Sequence, residues 1–327
     1  MKNMNIIEAI NLAILEEMRR DKKVFILGED VGIKGGVFKA SSGLYEEFGE
    51  KRVLDTPLSE SLIVGAAIGA AMYGYRPIAE MQFVDFILPA VNQIVSEAAK
   101  IRYRSNNDWT CPLVIRAPYG GGIHGGFYHS QSLESMFTIP GLRVVTPSNP
   151  YDAKGLLKAA IRNDDPVLFL EHKRAYRSIS GEVPLEDYVL PLDKAEVKQE
   201  GTDITIITYG ICTNLALDVA ETLKEEKGAS VYVLDLRSLY PLDKEAIVKA
   251  AQKTGKVLLV TEANKEGSIM SEVSAIIAEN CLFSLDAPIK RVAAPDVPLM
   301  PYASSMERFV LVDSDKIYKE ASLLLDF

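Results

Sequence analysis

The stretch that decides the fold covers residues 55–83 and reads DTPLSESLIVGAAIGAAMYGYRPIAEMQF. Its centre is an apolar helical pattern, which Ser59 can begin as the N-cap and Gly74 can end. Glu60 lies in the first helical turn, where the helix dipole favours a negative charge. A buried strand pattern follows at Ile78–Phe83. A helix that leads into a buried strand indicates one unit of a parallel α/β sheet.

The same alternation runs through the rest of the chain. In the first part, strand patterns lie at 24–27, 78–83, 113–117, 144–145 and 167–170, with helical patterns near 60–73, 87–104 and 150–163. A charged, proline-containing connection covers 177–201. Beyond it, strand patterns lie at 204–208, 231–236, 257–260 and 289–293, with helical patterns near 213–227, 243–254, 268–280 and 315–325. We therefore predict two three-layer α/β domains with mainly parallel sheets, 1–185 and 186–327.

The composition excludes several classes of protein. The chain has 327 residues, of which 48% are hydrophobic, and its net charge is -9. It lacks the basic surface that binding to nucleic acid or to an anionic membrane requires. Cys111, Cys212 and Cys281 lie far apart in apolar stretches, which predicts buried thiols in a reducing compartment. Acids interrupt the apolar residues of the N-terminal helical pattern, which is not typical of a signal peptide, and we expect a cytoplasmic protein.

Two interpretations of Glu60 remain open at this level. Its carboxylate can serve only to compensate the helix dipole. The helix itself favours a functional role, because Gly65 and Gly69 each cost about 0.5–1 kcal/mol relative to alanine. Such glycines indicate that another helix or another subunit approaches the backbone closely. A carboxylate at the mouth of that crevice would suit proton transfer.

A second informative stretch covers residues 117–132 and reads APYGGGIHGGFYHSQS. It contains the spacing G-x-G-x-x-G, but it lies in the middle of a domain and the following strand does not end in an acidic ribose ligand. The glycines fit better as a close-approach loop that brings His124 and His129 to a cleft. No third ligand stands near these histidines, which disfavours zinc. His172 follows a strand and is interpreted as structural.

Many segments, in order along the whole chain, resemble the β subunit of the thiamin-diphosphate-dependent E1 component of 2-oxo acid dehydrogenase complexes. They are LGEDVG (27–32), DTPLSE (55–60), EMQFVDF (80–86), HGGFYHSQS (124–132), PGLRVVTPS (140–148), DAKGLLKAAIR (152–162), LDLRSLYPLD (234–243) and RVAAPDVP (291–298). RYRSNNDW (102–109), YHSQSLESMF (128–137) and FLEHKRAYR (169–177) are most similar to the branched-chain 2-oxo acid dehydrogenase member. Pyruvate and acetoin dehydrogenase β subunits remain close alternatives.

The resemblance implies a transketolase-like fold, an α2β2 assembly with an E1 α subunit, and an E2 lipoyl acyltransferase partner. It also implies thiamin diphosphate, with the diphosphate and Mg²⁺ held by the α subunit. The Gly-Asp-Gly…Asn motif typical of that half of the site does not occur in this sequence. The residues that match the aminopyrimidine contacts are Leu58, Glu60, Gln82 and Phe86. Branched-chain relatives often carry tyrosine at the position of Phe86, where phenylalanine keeps the aromatic face; the same ring can also be ordinary core.

The resemblance further assigns roles to individual residues. Glu60 would share a proton with the pyrimidine N1′ and favour the imino tautomer. His129 would position the reactants and transfer protons when the acyl group passes to the lipoyl disulfide, a role that suits an imidazole near neutral pH. No family role is carried over to His124. A potassium site is implied as well, built from Leu113, Ala160, Ile161, Asn163 and Asp165, although the last two reverse the usual order of Asp and Asn.

Three hypotheses about function follow. The leading one is an E1 β subunit that decarboxylates a branched-chain 2-oxo acid and acylates the lipoyl group of E2, active only with its α subunit. The second is a subunit that mainly assembles E1 or docks it to E2. The third, a nicotinamide dehydrogenase, predicts reduction of NAD by this chain alone and is disfavoured by the loop context.

Overall fold

The computed structural model describes residues 1–327, which divide into two compact units. The first unit comprises Met1–Tyr119 and Met136–Leu192, and the second comprises Gly120–Ser135 and Asp193–Phe327. The segment 120–135 therefore connects two parts of the first unit but belongs to the second by its contacts. None of the helices combines the length and the apolar character that crossing a bilayer demands.

The first unit contains eight strands and six α-helices. The strands are β1 (Lys2–Asn5), β2 (Val24–Gly28), β3 (Val53–Asp55), β4 (Arg76–Glu80), β5 (Val114–Tyr119), β6 (Arg143–Val145), β7 (Val167–His172) and β8 (Ser180–Val183). The helices are α1 (Ile6–Arg20), α2 (Leu44–Phe48), α3 (Glu60–Met72), α4 (Ile101–Arg104), α5 (Pro150–Arg162) and α6 (Ala175–Ser178).

The second unit repeats the alternation. Its strands are β9 (Glu196–Gln199), β10 (Ile204–Thr208), β11 (Val231–Asp235), β12 (Ser238–Tyr240), β13 (Val257–Asn264) and β14 (Lys290–Ala294). Its helices are α7 (Ile211–Lys227), α8 (Lys244–Thr254), α9 (Ile269–Cys281), α10 (Ser304–Val310) and α11 (Ser314–Leu325). The sheet order is β14-β13-β10-β11-β9, parallel except for β9.

The parallel sheet of the first unit brings together the strand ends that matter for the site. Its strands follow the order β6-β7-β5-β4-β2-β3. Gly28, the last residue of β2, pairs with Asp55 on one side and with Glu80 on the other. A Cβ atom at Gly28 would lie 2.7 Å from the Glu80 carbonyl oxygen, so only glycine fits there. The segments that leave β2, β3 and β4 consequently begin at one edge of the sheet, where α/β proteins commonly bind ligands.

Local sequence explains where the principal helices start. Asn5 and Glu8 form a capping box at α1, each side chain hydrogen-bonding the other's backbone N–H at 3.0 and 2.8 Å. Asn149 caps α5 by accepting the Asp152 N–H, and Pro150 occupies the first turn. Ser59 is the N-cap of α3 as predicted, but its side chain makes no capping hydrogen bond.

One expectation from the sequence needs correction, and another is not met within this chain. The helix expected over 87–104 is instead a series of short 3₁₀ and π segments that ends in α4, with Pro89 inside the first of them. Proline lacks the N–H that a continuous helix needs, which accounts for the interruption. Nothing in this chain approaches Gly69 closely: a Cβ there would meet no atom within 4 Å, and one at Gly65 only the Gln93 Cγ at 3.9 Å. Close approach by another subunit stays a prediction.

Candidate active site

Glu60 is the first residue of α3, and its carboxylate therefore lies at the positive end of the helix dipole. The side chain is half-buried, whereas Leu58, two residues earlier, is 79% exposed. Both residues follow β3, whose last residue is Asp55. Leu58 is therefore accessible to a ligand or to another chain.

A second carboxylate, Glu29, lies beside Glu60. It follows β2 directly, at the same sheet edge as the start of α3. Burial raises the pKa of Glu29, and the negative charges of Glu60 and Asp30 raise it further. The two acids are therefore electrostatically coupled. The sequence signal for Glu29 was an acid directly after a buried strand, within LGEDVG, but sequence analysis assigned it no role.

Gln82 and Phe86 leave the neighbouring strand β4. Gln82 is half-buried in the connection between Glu80 and the 3₁₀ segment that starts at Val84. The ring of Phe86, also half-buried, contacts Phe83 edge to face with 5.7 Å between centroids. Because β3 and β4 both flank β2, the structure brings all four residues matched to the pyrimidine contacts to one edge of the sheet of the first unit.

A buried ionic network underlies this edge. The Arg116 guanidinium on β5 donates two hydrogen bonds of 2.6 Å to Glu171 and one to Glu80, and the hydroxyl of Tyr176 donates to Glu171 at 2.5 Å. Burial alone lowers the pKa of Arg116, but the two carboxylates outweigh it and raise that pKa. Burial raises the pKa of Glu80, against the effect of Arg116. The network fixes the end of β4, from which Gln82 departs.

Both candidate histidines of the glycine-rich loop belong to the second unit. His129 is half-buried and follows a 3₁₀ turn at Gly126–Tyr128. Gly125 packs against it, since a Cβ at Gly125 would lie 2.7 Å from the His129 Cβ. The His124 side chain is 61% exposed, and its Nδ1 lies 2.6 Å from a carboxylate oxygen of Glu307 on α10. Glu307 lies far along the chain from His124, and no sequence pattern connects the two residues.

Glu134 ends the loop inside the second unit. Its carboxyl is buried and accepts a 2.5 Å hydrogen bond from Tyr209, while its second oxygen, Oε2, has no hydrogen-bond partner. Burial raises the pKa of Glu134 to about 7, against the lowering effect of the Tyr209 hydrogen bond. This carboxyl therefore changes charge in the neutral pH range. No sequence pattern marked it.

Three of the five residues of the predicted potassium site, Ile161, Asn163 and Asp165, contact two arginines of the first unit. The Arg76 guanidinium donates to the carbonyl oxygens of Ile161 and Asn163 at 3.0 and 2.9 Å, and Arg102 pairs with the Asp165 carboxylate. A carbonyl oxygen has two lone pairs, so a cation could share it with an arginine. The potassium site stays a prediction.

The remaining predicted residues behave as core. His172 is 2% exposed and packs edge to face against Tyr119, with ring centroids 5.0 Å apart. All three cysteines are buried and free, which confirms the prediction of buried thiols. Burial raises the pKa of the Cys111 thiol to about 12, so this thiol is an unreactive one.

Two family models match the chain. The transketolase pyrimidine binding domain matches residues 2–178, and the transketolase C-terminal domain matches residues 193–317. A solved structure described as a split gene transketolase, inactive beta4 tetramer, has a TM-score of 0.78 and is 23% identical, with 99% of this chain and 98% of that chain covered. These matches define the class: a transketolase-like α/β protein with mainly parallel sheets, which confirms the predicted fold.

Curated relatives narrow the class. The chain is 69% identical to the 2-oxoisovalerate dehydrogenase subunit beta of Bacillus subtilis (strain 168) and 46% identical to the pyruvate dehydrogenase E1 component subunit beta of the same strain. It is 45% identical to the corresponding pyruvate dehydrogenase subunit of Staphylococcus aureus (strain MW2). Each alignment covers 100% of both chains. The chain belongs to the family of 2-oxo acid dehydrogenase E1 β subunits.

Proposed function

We propose that the chain is the β subunit of a branched-chain 2-oxo acid dehydrogenase E1. With an α subunit it decarboxylates a branched-chain 2-oxo acid and transfers the acyl group to the lipoyl group of E2. The observation that carries this proposal is Glu60 at the start of α3, coupled to Glu29 at the edge where β2, β3 and β4 end. The 69% identity to a 2-oxoisovalerate dehydrogenase subunit beta supports a branched-chain substrate over pyruvate, because the pyruvate dehydrogenase relatives are only 44–46% identical.

The residues at this edge fit the aminopyrimidine half of thiamin diphosphate. They offer a carboxylate that can give and take a proton (Glu60), an amide (Gln82), an aromatic face (Phe86) and an exposed apolar side chain (Leu58). When bound, the cofactor supplies the electron sink for loss of carbon dioxide. Glu60 would give a proton to the pyrimidine ring and take it back. The diphosphate and Mg²⁺ would be held mainly by the α subunit.

His129 would serve the second half of the reaction. Its half-buried imidazole can orient the reacting groups and pass a proton when the acyl group moves to the lipoyl sulfur. We propose an α2β2 heterotetramer that binds E2, and a cytoplasmic location, which the buried and free cysteines support.

The catalytic assignment is tested by Glu60→Gln in the reconstituted α2β2 enzyme. The amide keeps the size of the side chain but cannot exchange the proton, so we expect decarboxylation to fall at least a hundredfold. Glu46→Gln is the matched control, because Glu46 is an exposed acid in the first turn of α2. If the Glu60 variant assembles and decarboxylates at the normal rate, the chain serves assembly or E2 docking instead.

Substrate choice is tested separately with pyruvate, 3-methyl-2-oxobutanoate and 4-methyl-2-oxopentanoate. One methylene contributes only about 1–3 kcal/mol in a hydrophobic pocket, so the kcat/KM values must be compared directly. We expect the two branched substrates to be preferred at least tenfold. A preference for pyruvate would make the chain a pyruvate dehydrogenase E1 β subunit.

We also propose that potassium binds at Leu113, Ala160, Ile161, Asn163 and Asp165, sharing carbonyl oxygens with Arg76. Binding predicts a higher thermal midpoint in potassium chloride than in choline chloride at equal ionic strength, and Asp165→Asn should reduce the difference. Equal midpoints would mean that Arg76 and Arg102 satisfy these oxygens without a bound cation.

A further inference from the structure

One buried carboxylate of the second unit holds the start of the histidine segment, defined here as residues 120–135. Glu307 is 1% exposed. Its Oε1 accepts the backbone N–H groups of Gly122 and His124 at 3.1 and 3.3 Å, and its Oε2 lies 2.6 Å from the His124 Nδ1. A carboxylate removed from water in this way requires hydrogen-bond donors, and here all three come from the segment.

A second carboxylate acts beside it. Glu262 on β13 is 7% exposed, and its Oε1 accepts the Gly121 N–H at 2.6 Å. A side chain at Gly121 would displace its neighbours, since a Cβ would lie 2.9 Å from the Leu311 Cδ2 and 3.0 Å from the Met300 Cε. The glycines of this loop therefore serve close packing against the second unit, with their N–H groups turned to acids.

The backbone of His124 needs this support. Its φ is +56°, a left-handed conformation that is unfavourable for a residue with a side chain. One oxygen of the Glu307 carboxylate accepts the backbone N–H of His124, and the other lies beside the imidazole ring. A single acid therefore contacts this residue at two points. Strained backbone of this kind persists only where the surroundings fix it, and it is often associated with function.

The far end of the histidine segment is fixed as well. Glu134 accepts a hydrogen bond from Tyr209, and the Ser135 hydroxyl accepts one from the Ile269 N–H at 3.1 Å, at the start of α9. His129 lies midway between His124 and Glu134. The two ends of the segment that carries His129 are thus held by contacts with β13, α10 and the start of α9.

We propose that Glu307 is a positioning residue for acyl transfer: through His124 it sets the place of His129. This inference rests on the role of His129 in the proposed function. It gives the C-terminal domain a part in the reaction itself, beyond assembly. A merely structural Glu307 would affect the two half-reactions equally, because it would change only the amount of folded enzyme.

The experiment compares two rates in the reconstituted α2β2 enzyme. Decarboxylation is followed with an artificial electron acceptor, and acyl transfer with the isolated lipoyl domain of E2. Glu307→Ala removes all three contacts, whereas Glu307→Gln keeps an oxygen for the two backbone N–H groups. Glu279→Gln, an exposed glutamate on α9, is the control. We expect Glu307→Ala to lower acyl transfer at least tenfold more than decarboxylation, and Glu307→Gln to recover part of the loss.

A second variant addresses the case in which Glu307→Ala does not fold. His124→Val keeps Glu307 but places a β-branched residue at the positive φ, and it should show the same selective loss. Equal losses in both rates, or no loss in either, would overturn the proposal. His129→Ala distinguishes the role of His129 from the positioning role of Glu307. If this variant leaves acyl transfer intact, the assignment of His129 is wrong. If it abolishes acyl transfer while the Glu307 variants do not lower it selectively, only the positioning role of Glu307 is wrong.

Discussion

Arg116 on β5 and Glu171 on the neighbouring parallel strand β7 are joined by two hydrogen bonds of 2.6 Å, and neither side chain is more than 1% exposed. Glu80, on the other side of Arg116, is a second buried acid. Bidentate geometry of this kind is the strongest arrangement of an arginine and a carboxylate. One guanidinium therefore serves two buried carboxylates beneath the candidate active site.

Replacement of Arg116 by methionine should destabilise the chain strongly. The change keeps an unbranched apolar stem but leaves Glu80 and Glu171 buried without a counter-charge, for which we expect a loss of about 3–5 kcal/mol. Urea unfolding measures it. The control is Arg104→Met, which removes the exposed pair with Glu97 in the same unit and should change stability by less than about 1 kcal/mol. Similar losses in both variants would contradict the importance of burial.

The free energy of unfolding should depend on pH through the titration of Glu134. Because burial raises its pKa from 4.5 to about 7, the folded chain binds a proton more tightly than the unfolded chain does. The free energy of unfolding should therefore fall as pH rises from 4.5 through 7, by at most about 3 kcal/mol. Thermal midpoints between pH 5 and 8.5 test this. Glu134→Gln should flatten the profile, whereas Glu279→Gln should retain its slope.

The coupling of Glu29 to Glu60 predicts a change at one acid when the other is altered. Glu60→Gln removes a negative charge, so the pKa of Glu29 should fall, although burial should still hold it above 4.5. Titration of carboxyl-labelled glutamate by carbon-13 NMR measures this. Glu46→Gln should leave the Glu29 titration where it is. A Glu29 midpoint that does not move in the Glu60 variant would show that the two carboxylates are not coupled.

A substitution at Gly69 should affect the stability of the isolated chain and its assembly with another subunit in opposite directions. Since a Cβ there meets no atom of this chain, Gly69→Ala should stabilise the isolated chain by about 0.5–1 kcal/mol. If another subunit packs against α3, as the sequence predicts, the same change should weaken assembly with the α subunit, measured by analytical ultracentrifugation. Ala66→Gly, on the same helix, should have the opposite effect on the isolated chain. Stabilisation without any loss of assembly would refute the predicted contact.

The sequence predicts much of this fold because its signals are local. Strands buried on both faces are continuous apolar runs, and the start of α3 follows from Ser59 and Glu60. The failure over 87–104 is also local, since Pro89 was present in the sequence and interrupts the helical pattern. The pairing of Gly28 with Asp55 and Glu80 requires knowledge of the strand order, which no single segment contains.

The site is harder to predict because its parts are distant in sequence. Family resemblance indicated Glu60 and His129. That Glu29 lies near Glu60 becomes evident only once β2 and β3 are known to be neighbouring strands. Glu307 contacts Gly122 across 185 residues, and no periodicity connects them. Buried acids such as Glu134 and Glu262 look like ordinary surface residues until the burial of their oxygens is known.

Residues 120–135 belong to the second unit although first-unit residues flank them in sequence, and this limits where the polypeptide can be divided. A fragment that ends at Leu192 would contain His129 yet lack the β13 and α10 carboxylates against which that loop folds. Exchanging C-terminal domains between homologues at the 192/193 junction would likewise combine the His129 loop of one homologue with the β13 and α10 carboxylates of the other. A chimaera that preserves the original arrangement needs three crossovers, at 119/120, 135/136 and 192/193.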